Sequence, residues 1–185
     1  MTDSIAQSTA VRLASKTDVT AVQNLMSQAF EHEVSHGFDD TLDPNWPLSE
    51  NGRCDIENLV HRDEDLLLVG TVGSACVGYL VGCAIRQDTI GTYGTIAQLR
   101  GVFVEELARC KGMGRRLCQE FLAWSRTKGC ICVTVAVACD NEKATSLYRN
   151  LGFCDRTLIL ELRHNLDKKI QLKPNAGLSA RDGVD

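Results

Sequence analysis

The run LRGVFV at residues 99–104 leads into ARCKGMGRRL, where Gly112 and Gly114 stand two apart. From Gly112 onward the apolar positions change period, falling at Met113, Leu117, Cys118, Phe121 and Leu122. A strand that enters a glycine turn and leaves as an amphipathic helix restricts the chain to folds that alternate strand and helix. It also creates an anion site. The first N–H groups of a helix have no internal partner. The helix dipole places partial positive charge there, and glycines let a phosphate approach the backbone. Arg109, Lys111, Arg115 and Arg116 add full charges around it. Neither G-x-x-x-x-G-K-[ST] nor G-x-G-x-x-G is present, so the turn is not one of the common nucleotide loops.

The rest of the pattern extends this plan. Val11 and Leu13 alternate in AVRLAS, a short strand. Thr17 and Asp18 cap a helix that carries Val19, Val22, Leu25, Met26, Ala29 and Phe30 on one face. HGFDDTLDPNWPLSENG reads as loop, and a second short helix starts near Ser49 with Ile56, Leu59 and Val60 inward. DLLLVGTVGSACVGYLVGCAIR reads as two strands turning at Gly73 and Ser74, and GTYGTIAQLRGVFV as a third whose glycines mark bulges. CICVTVAVA is almost wholly apolar, the pattern of a strand buried on both faces in the middle of a mixed sheet. Asn141 opens a further helix, Gly152 ends it, and TLILELRH, residues 157–164, closes the sheet. The expected order is β-α-α-β-β-β-α-β-α-β in a single α/β domain. NLDKKIQLKPNAGLSARDGVD follows as a polar tail.

A chain of 185 residues holds one such domain. No run reaches the ~18 apolar residues that a membrane span needs, and MTDSIAQSTAVRL lacks a signal layout. The expectation is a soluble cytoplasmic protein with no membrane partner. Nine cysteines are an odd number without a C-x-x-C pair, and are expected to be small buried hydrophobes in a reducing compartment. Net charge is −4, but Glu31–Asp65 holds eleven Asp or Glu against Arg53 and Arg62, a local −9 that leaves +5 elsewhere. Such asymmetry points to ligands of opposite sign. One basic turn in an acidic chain argues against nucleic acid.

GVFVEELARCKGMGRRL resembles the acetyl-CoA pyrophosphate loop of the GNAT superfamily of N-acetyltransferases, R/Q-x-x-G-x-G/A, here Arg109, Gly112 and Gly114. NEKATSLYRNLGF is similar to that family's N-x-x-A-x-x-L-Y-x-x-L-G-F, here Asn141, Ala144, Leu147, Tyr148, Leu151, Gly152 and Phe153. The resemblance covers residues 9–163, and the tail over 164–185 lies outside it. It implies a GNAT-like, mostly antiparallel mixed sheet with flanking helices, and acetyl-CoA as co-substrate. By the same resemblance Val102, Phe103 and Val104 pair with the pantetheine arm. The N–H groups of Cys110, Lys111, Gly112, Met113, Gly114 and Arg115 hold the pyrophosphate, and Asn141 lies near the pantetheine where the central strands splay. Tyr148 matches the family's general acid.

The implied reaction is direct attack of a neutral amine on the thioester in a ternary complex. It needs a donor for the oxyanion, expected from a backbone N–H of the strand holding Val104, and a proton for the leaving thiolate, which a phenol supplies. Some relatives carry a glutamate at the position of Gln98, and glutamine cannot accept a proton. Glu105, Glu106 and the carboxylates of the acidic segment are the remaining candidates for the base. That segment favours a cationic acceptor, a small-molecule or peptide amine, with Phe38 and Trp46 as an apolar wall. A homodimer is a further expectation for the assembly. The alternative class is a non-catalytic acyl-CoA-binding module. HEVSH also matches H-E-x-x-H, with His32 and His36 as zinc ligands and Glu33 as base. The extended zinc pattern fails at Asp39 and Leu42, so no metal is expected and the stretch reads as a polar helix end lining the acceptor cleft.

Overall fold

The sheet is built on DLLLVGTV, buried at six successive positions that are apolar except for Thr71. In a computed structural model, which describes residues 8–89 and 92–162, this segment is β2 (Asp65–Val72). Leu66 and Leu68 enter one core while Leu67 and Val69 enter another, so helices must cover both faces. Around it lie β1 (Thr9–Leu13), β3 (Ala75–Thr89), β4 (Thr92–Val104) and β5 (Cys132–Val135), in the spatial order of their numbers. Strands β1 to β4 are antiparallel, and β5 joins β4 in parallel. Helices α1 (Val19–Ser35) and α2 (Glu50–His61) cover the face that carries Leu67, Val69, Tyr79 and Val81. Helices α3 (Met113–Thr127) and α4 (Glu142–Arg149) cover the other, where Phe121, Leu117 and Tyr148 are buried. Gly73, at φ +60°, makes the β2–β3 turn. Gly82 lets the Phe121 ring lie against β3, where any Cβ would run into it.

Nine of the ten expected elements form, and the tenth does not. Residues 157–162 pair with no strand, and Leu158, Ile159, Leu160 and Leu162 are 66–84% exposed. High β propensity is realised only against a neighbouring strand, and this segment has none. The chain divides into two compact units, Met1–Phe153 and Cys154–Asp185. The end of the expected last strand and the tail over 164–185 lie outside the described residues. For the same reason β5 is not a doubly buried central strand. Among the described residues it is an edge strand of four residues, all half-buried.

The cysteines also depart from expectation. Only Cys83 and Cys118 are buried, while Cys54, Cys110, Cys139 and Cys154 are exposed. Apolar neighbours in sequence do not fix which face a short side chain takes, and these four fall on loops or on the outer face of α2.

Candidate active site

Two strands part at the site. β5 pairs with β4 only from Ile96 to Leu99, and beyond Leu99 β4 has no neighbouring strand on that side among the described residues. At the same point β4 carries a bulge. Val81 faces Gly101 and Gly82 faces Leu99, so Arg100 is the extra residue. Glu105 N–H donates to Val77 C=O. By the alternation of an antiparallel ladder, the backbone groups of Val102 and Val104 therefore point away from β3, into the gap left by β5.

The glycine turn adjoins this edge. A short 3-10 turn (Glu106–Ala108) leads to Cys110 at φ +60° and Gly112 at φ +83°, both left-handed. Arg116 N–H bonds Gly112 C=O at 3.0 Å, so the N–H groups of Met113, Gly114 and Arg115 have no intrahelical acceptor. A Cβ at Gly114 would meet only Leu147 at 3.7 Å and Val104 at 3.8 Å, ordinary contacts. The protein's own packing thus does not demand a glycine there. Arg109 Nε donates to Val104 C=O at 2.8 Å and its guanidinium lies over the Phe103 ring at 5.2 Å. Lys111 Nζ donates to Leu107 C=O. Arg116 departs from expectation: its guanidinium donates to Thr9 on β1, at 2.7 Å to the hydroxyl, so its charge serves the β1 edge rather than the turn.

Asn141 is the N-cap of α4, with Oδ1 accepting from Ala144 N–H at 3.1 Å. Tyr148 lies in the last turn of α4. Its ring is buried, 5.7 Å from the Phe153 ring. Its hydroxyl makes no hydrogen bond to a described residue, and the residue as a whole is 7% exposed. Burial foremost, then Cys118 and Glu33, hold this phenol above its usual titration range.

The end of α1 faces the same region. Gly37, at φ +70°, closes the helix: its N–H bonds Val34 C=O and Phe38 N–H bonds Glu33 C=O at 2.9 Å. Helix α4 ends the same way, with Gly152 at φ +94° and Phe153 N–H on Tyr148 C=O at 3.1 Å. Glu33 and Tyr148 thus hold equivalent places in matching Gly-Phe caps. Burial first, then Asp39, raises the Glu33 carboxyl, with His36 opposing. Burial, then His36, Arg109 and Lys143, lowers His32, with Glu106 opposing.

His32 and His36 do not converge on a common point. Their rings stack at 4.1 Å, with Phe38 against both, and His36 Nδ1 lies 2.8 Å from His32 C=O. Among the described residues no three His, Cys, Asp or Glu side chains group as a metal site. Gln98 is half-buried on β4 opposite Thr134. Trp46 begins a 3-10 turn (Trp46–Leu48) before α2. Motif reading did not single out a groove lined by Arg115, Gln119, Leu122, Arg126, Asn150 and Leu151. The spacing of Arg115, Gln119, Leu122 and Arg126 along one face of α3 was its available signal.

A splayed parallel pair thus lies beside an unpaired helix N-terminus, a strand edge next to an anion site. The chain matches the Acetyltransferase (GNAT) family over residues 20–153, and belongs to it. It is 30% identical over 112 residues to an "IAA acetyltransferase" of Azospirillum brasilense, spanning 60% of this chain and 68% of that one. It is 26% identical over 137 residues to Glucosamine 6-phosphate N-acetyltransferase 1 of Oryza sativa subsp. japonica, 70% and 81% of the two chains. The fold is shared with the aminoglycoside N-acetyltransferase AAC(6')-Iy solved with CoA, at TM-score 0.68, 18% identity, and 85% and 95% coverage. A protein from Bacillus halodurans superposes at TM-score 0.73, with 21% identity and 84% and 99% coverage. The chain is an N-acetyltransferase with acetyl-CoA as its co-substrate. No helix among the described residues is long and apolar enough to cross a membrane.

Proposed function

We propose that the protein moves the acetyl group of acetyl-CoA to a primary amine on a cationic small molecule or peptide, by direct attack in a ternary complex. The observation that carries this reading is the gap between β4 and β5, which opens beside the left-handed turn at Gly112. The backbone edge at Val102–Val104, whose Val104 carbonyl already accepts from Arg109 Nε, pairs through its remaining groups with the amide-bearing arm of the co-substrate. The N–H groups from Cys110 to Arg115 and the charges of Arg109, Lys111 and Arg115 hold its pyrophosphate. Asn141 lies beside the arm, where its cap leaves the amide NH2 free to donate. An N–H of β4 near Val104 receives the oxyanion. Tyr148 gives its proton to the departing sulfur, a role supported by a phenol that stays protonated.

The acceptor class rests on the −9 balance of Glu31–Asp65. Relatives whose names carry amino sugars and aminoglycosides are in keeping with it. Mass spectrometry of a panel of amines incubated with enzyme and acetyl-CoA tests the class. Diamines and basic sugars should gain 42 Da each (the mass of one acetyl replacing hydrogen, about 42) ahead of neutral or acidic amines. The reverse order sinks the cationic acceptor.

A further inference from the structure

One carboxylate of the acidic segment is both half-buried and without a partner among the described residues, whereas Glu31, Glu50, Asp55, Asp63 and Glu64 are exposed. Asp39 accepts the N–H and hydroxyl of Thr41, and Asp43 the N–H of Asn45. Glu57 pairs with Arg53 at 3.0 Å and Asp65 with Arg62 at 3.8 Å. Asp40 is partnered too. Glu33 is half-buried, and its carboxylate makes no hydrogen bond or ion pair with a described residue. Its place on α1 explains the burial. Val22, Leu25, Met26, Ala29 and Phe30 form the stripe that packs on Tyr79, Val81 and Phe103. Glu33 follows Ala29 and Phe30 by four and three residues, so it continues that stripe one turn further, past the end of the core. The Phe38 N–H bond to its carbonyl fixes the turn. The groups that face it are Tyr79 from β3, Tyr148 from α4, and Asp39 and His36 from its own end of α1. Of these only His36 can carry positive charge.

A half-buried carboxylate without a cation is costly until one arrives. We infer that Glu33 receives the ammonium of the acceptor and takes its proton before attack. This rests on the acetyl-transfer reading above and supplies the base that Gln98 cannot be. Glu106 is exposed and Glu105 lies beyond the bulged edge, so neither shares this position. The balance is as follows. The ammonium loses one proton to the Glu33 carboxylate. The freed nitrogen lone pair forms the C–N bond as the carbonyl π pair moves to oxygen. Collapse breaks the C–S bond, and the sulfur takes the Tyr148 proton. The second nitrogen proton returns to the tyrosinate through water, and Glu33 releases its own to solvent. One amide, one thiol and one proton result.

The test uses the full chain with 1,4-diaminobutane and glucosamine as probes. Glu33→Gln should keep the acetyl-CoA affinity and thermal midpoint of the parent. Calorimetry on enzyme saturated with CoA should find diaminobutane bound at least ~10-fold more weakly. The kcat/KM for both amines should fall by about 10²–10³-fold. The acid limb of the parent profile should sit above the ordinary carboxylate range, and in Glu33→Gln it should move to the titration of the free amine. Glu33→Asp should recover part of the rate and keep an acid limb. A Glu33→Gln enzyme with unchanged diamine affinity and an unchanged acid limb overturns the assignment while leaving acetyl transfer intact. A parent enzyme that binds acetyl-CoA but neither ammonium probe overturns it as well. A parent that fails to bind acetyl-CoA removes the transfer reading itself.

Discussion

Tyr148 and Gly114 are residues whose loss should separate function from folding. Tyr148 packs through its ring against Phe153, and phenylalanine preserves that contact. Tyr148→Phe should therefore leave the thermal midpoint within a few degrees and acetyl-CoA affinity unchanged, while turnover falls by about 10²–10⁴-fold. Steady-state kinetics beside a melting curve checks both halves. Gly114 is the converse case. A methyl group there meets only ordinary contacts at 3.7 and 3.8 Å, and replacing glycine in a helix gains up to ~1 kcal/mol. Gly114→Ala should be as stable as the parent or more so, yet bind acetyl-CoA at least ~10-fold more weakly, about 1.4 kcal/mol. Equal affinity in a titration would show that the turn does not carry the pyrophosphate. Both residues were legible as motif positions before any coordinates. Glu33 was legible as part of H-E-x-x-H and as one of the acidic segment's carboxylates, neither of which showed that it continues the Val22–Phe30 stripe.

At the scale of the element, the cores dictate which glycines matter. Gly82 on β3 faces the fully buried Phe121 of α3, and a Cβ would run into that ring. Gly82→Ala should cost about 1–3 kcal/mol by overpacking, about 2–12 °C in midpoint for a chain of this size. Pairing it with Phe121→Leu should recover part of the loss, which a double-mutant cycle measures directly. Nine elements were readable because their apolar periods are local: two residues in β2, three to four in α3. The tenth was not, because TLILEL is strand-like only in composition and pairing is a non-local choice. The same reason left β5 short and at an edge. The bulge in β4 was foreseen only as a property of its glycines, whereas the inserted residue is Arg100, beside Gly101.

For the molecule as a whole, buried titratable groups set the alkaline limit. Burial pushes the Cys118 thiol up to about 12 from 9.0 and raises Tyr79 and Tyr148 as well. A thiol whose folded value is raised contributes stability that is complete below the unfolded value. The unfolded chain ionises first as pH climbs, and the contribution is lost between pH 9.0 and about 12. Unfolding free energy should hold to about pH 8, then fall by about 1.4 kcal/mol per pH unit for each such group once its unfolded form titrates. Cys118→Ala should flatten the first part of that slope in a melting series.

The bulge at Arg100 has a further consequence, for insertions and deletions. Side chains alternate along β4, so the single extra residue decides that Phe103 joins the α1 face while Val102 and Val104 join the α3 face. Arg100 is exposed, so many other side chains fit its place. Removing the position altogether would turn every later residue of the strand to the wrong side and swing the edge at Val102–Val104 away from the gap. The site is specified by a count of residues as much as by their kinds, and a homologue one residue shorter here would need another insertion nearby to keep it.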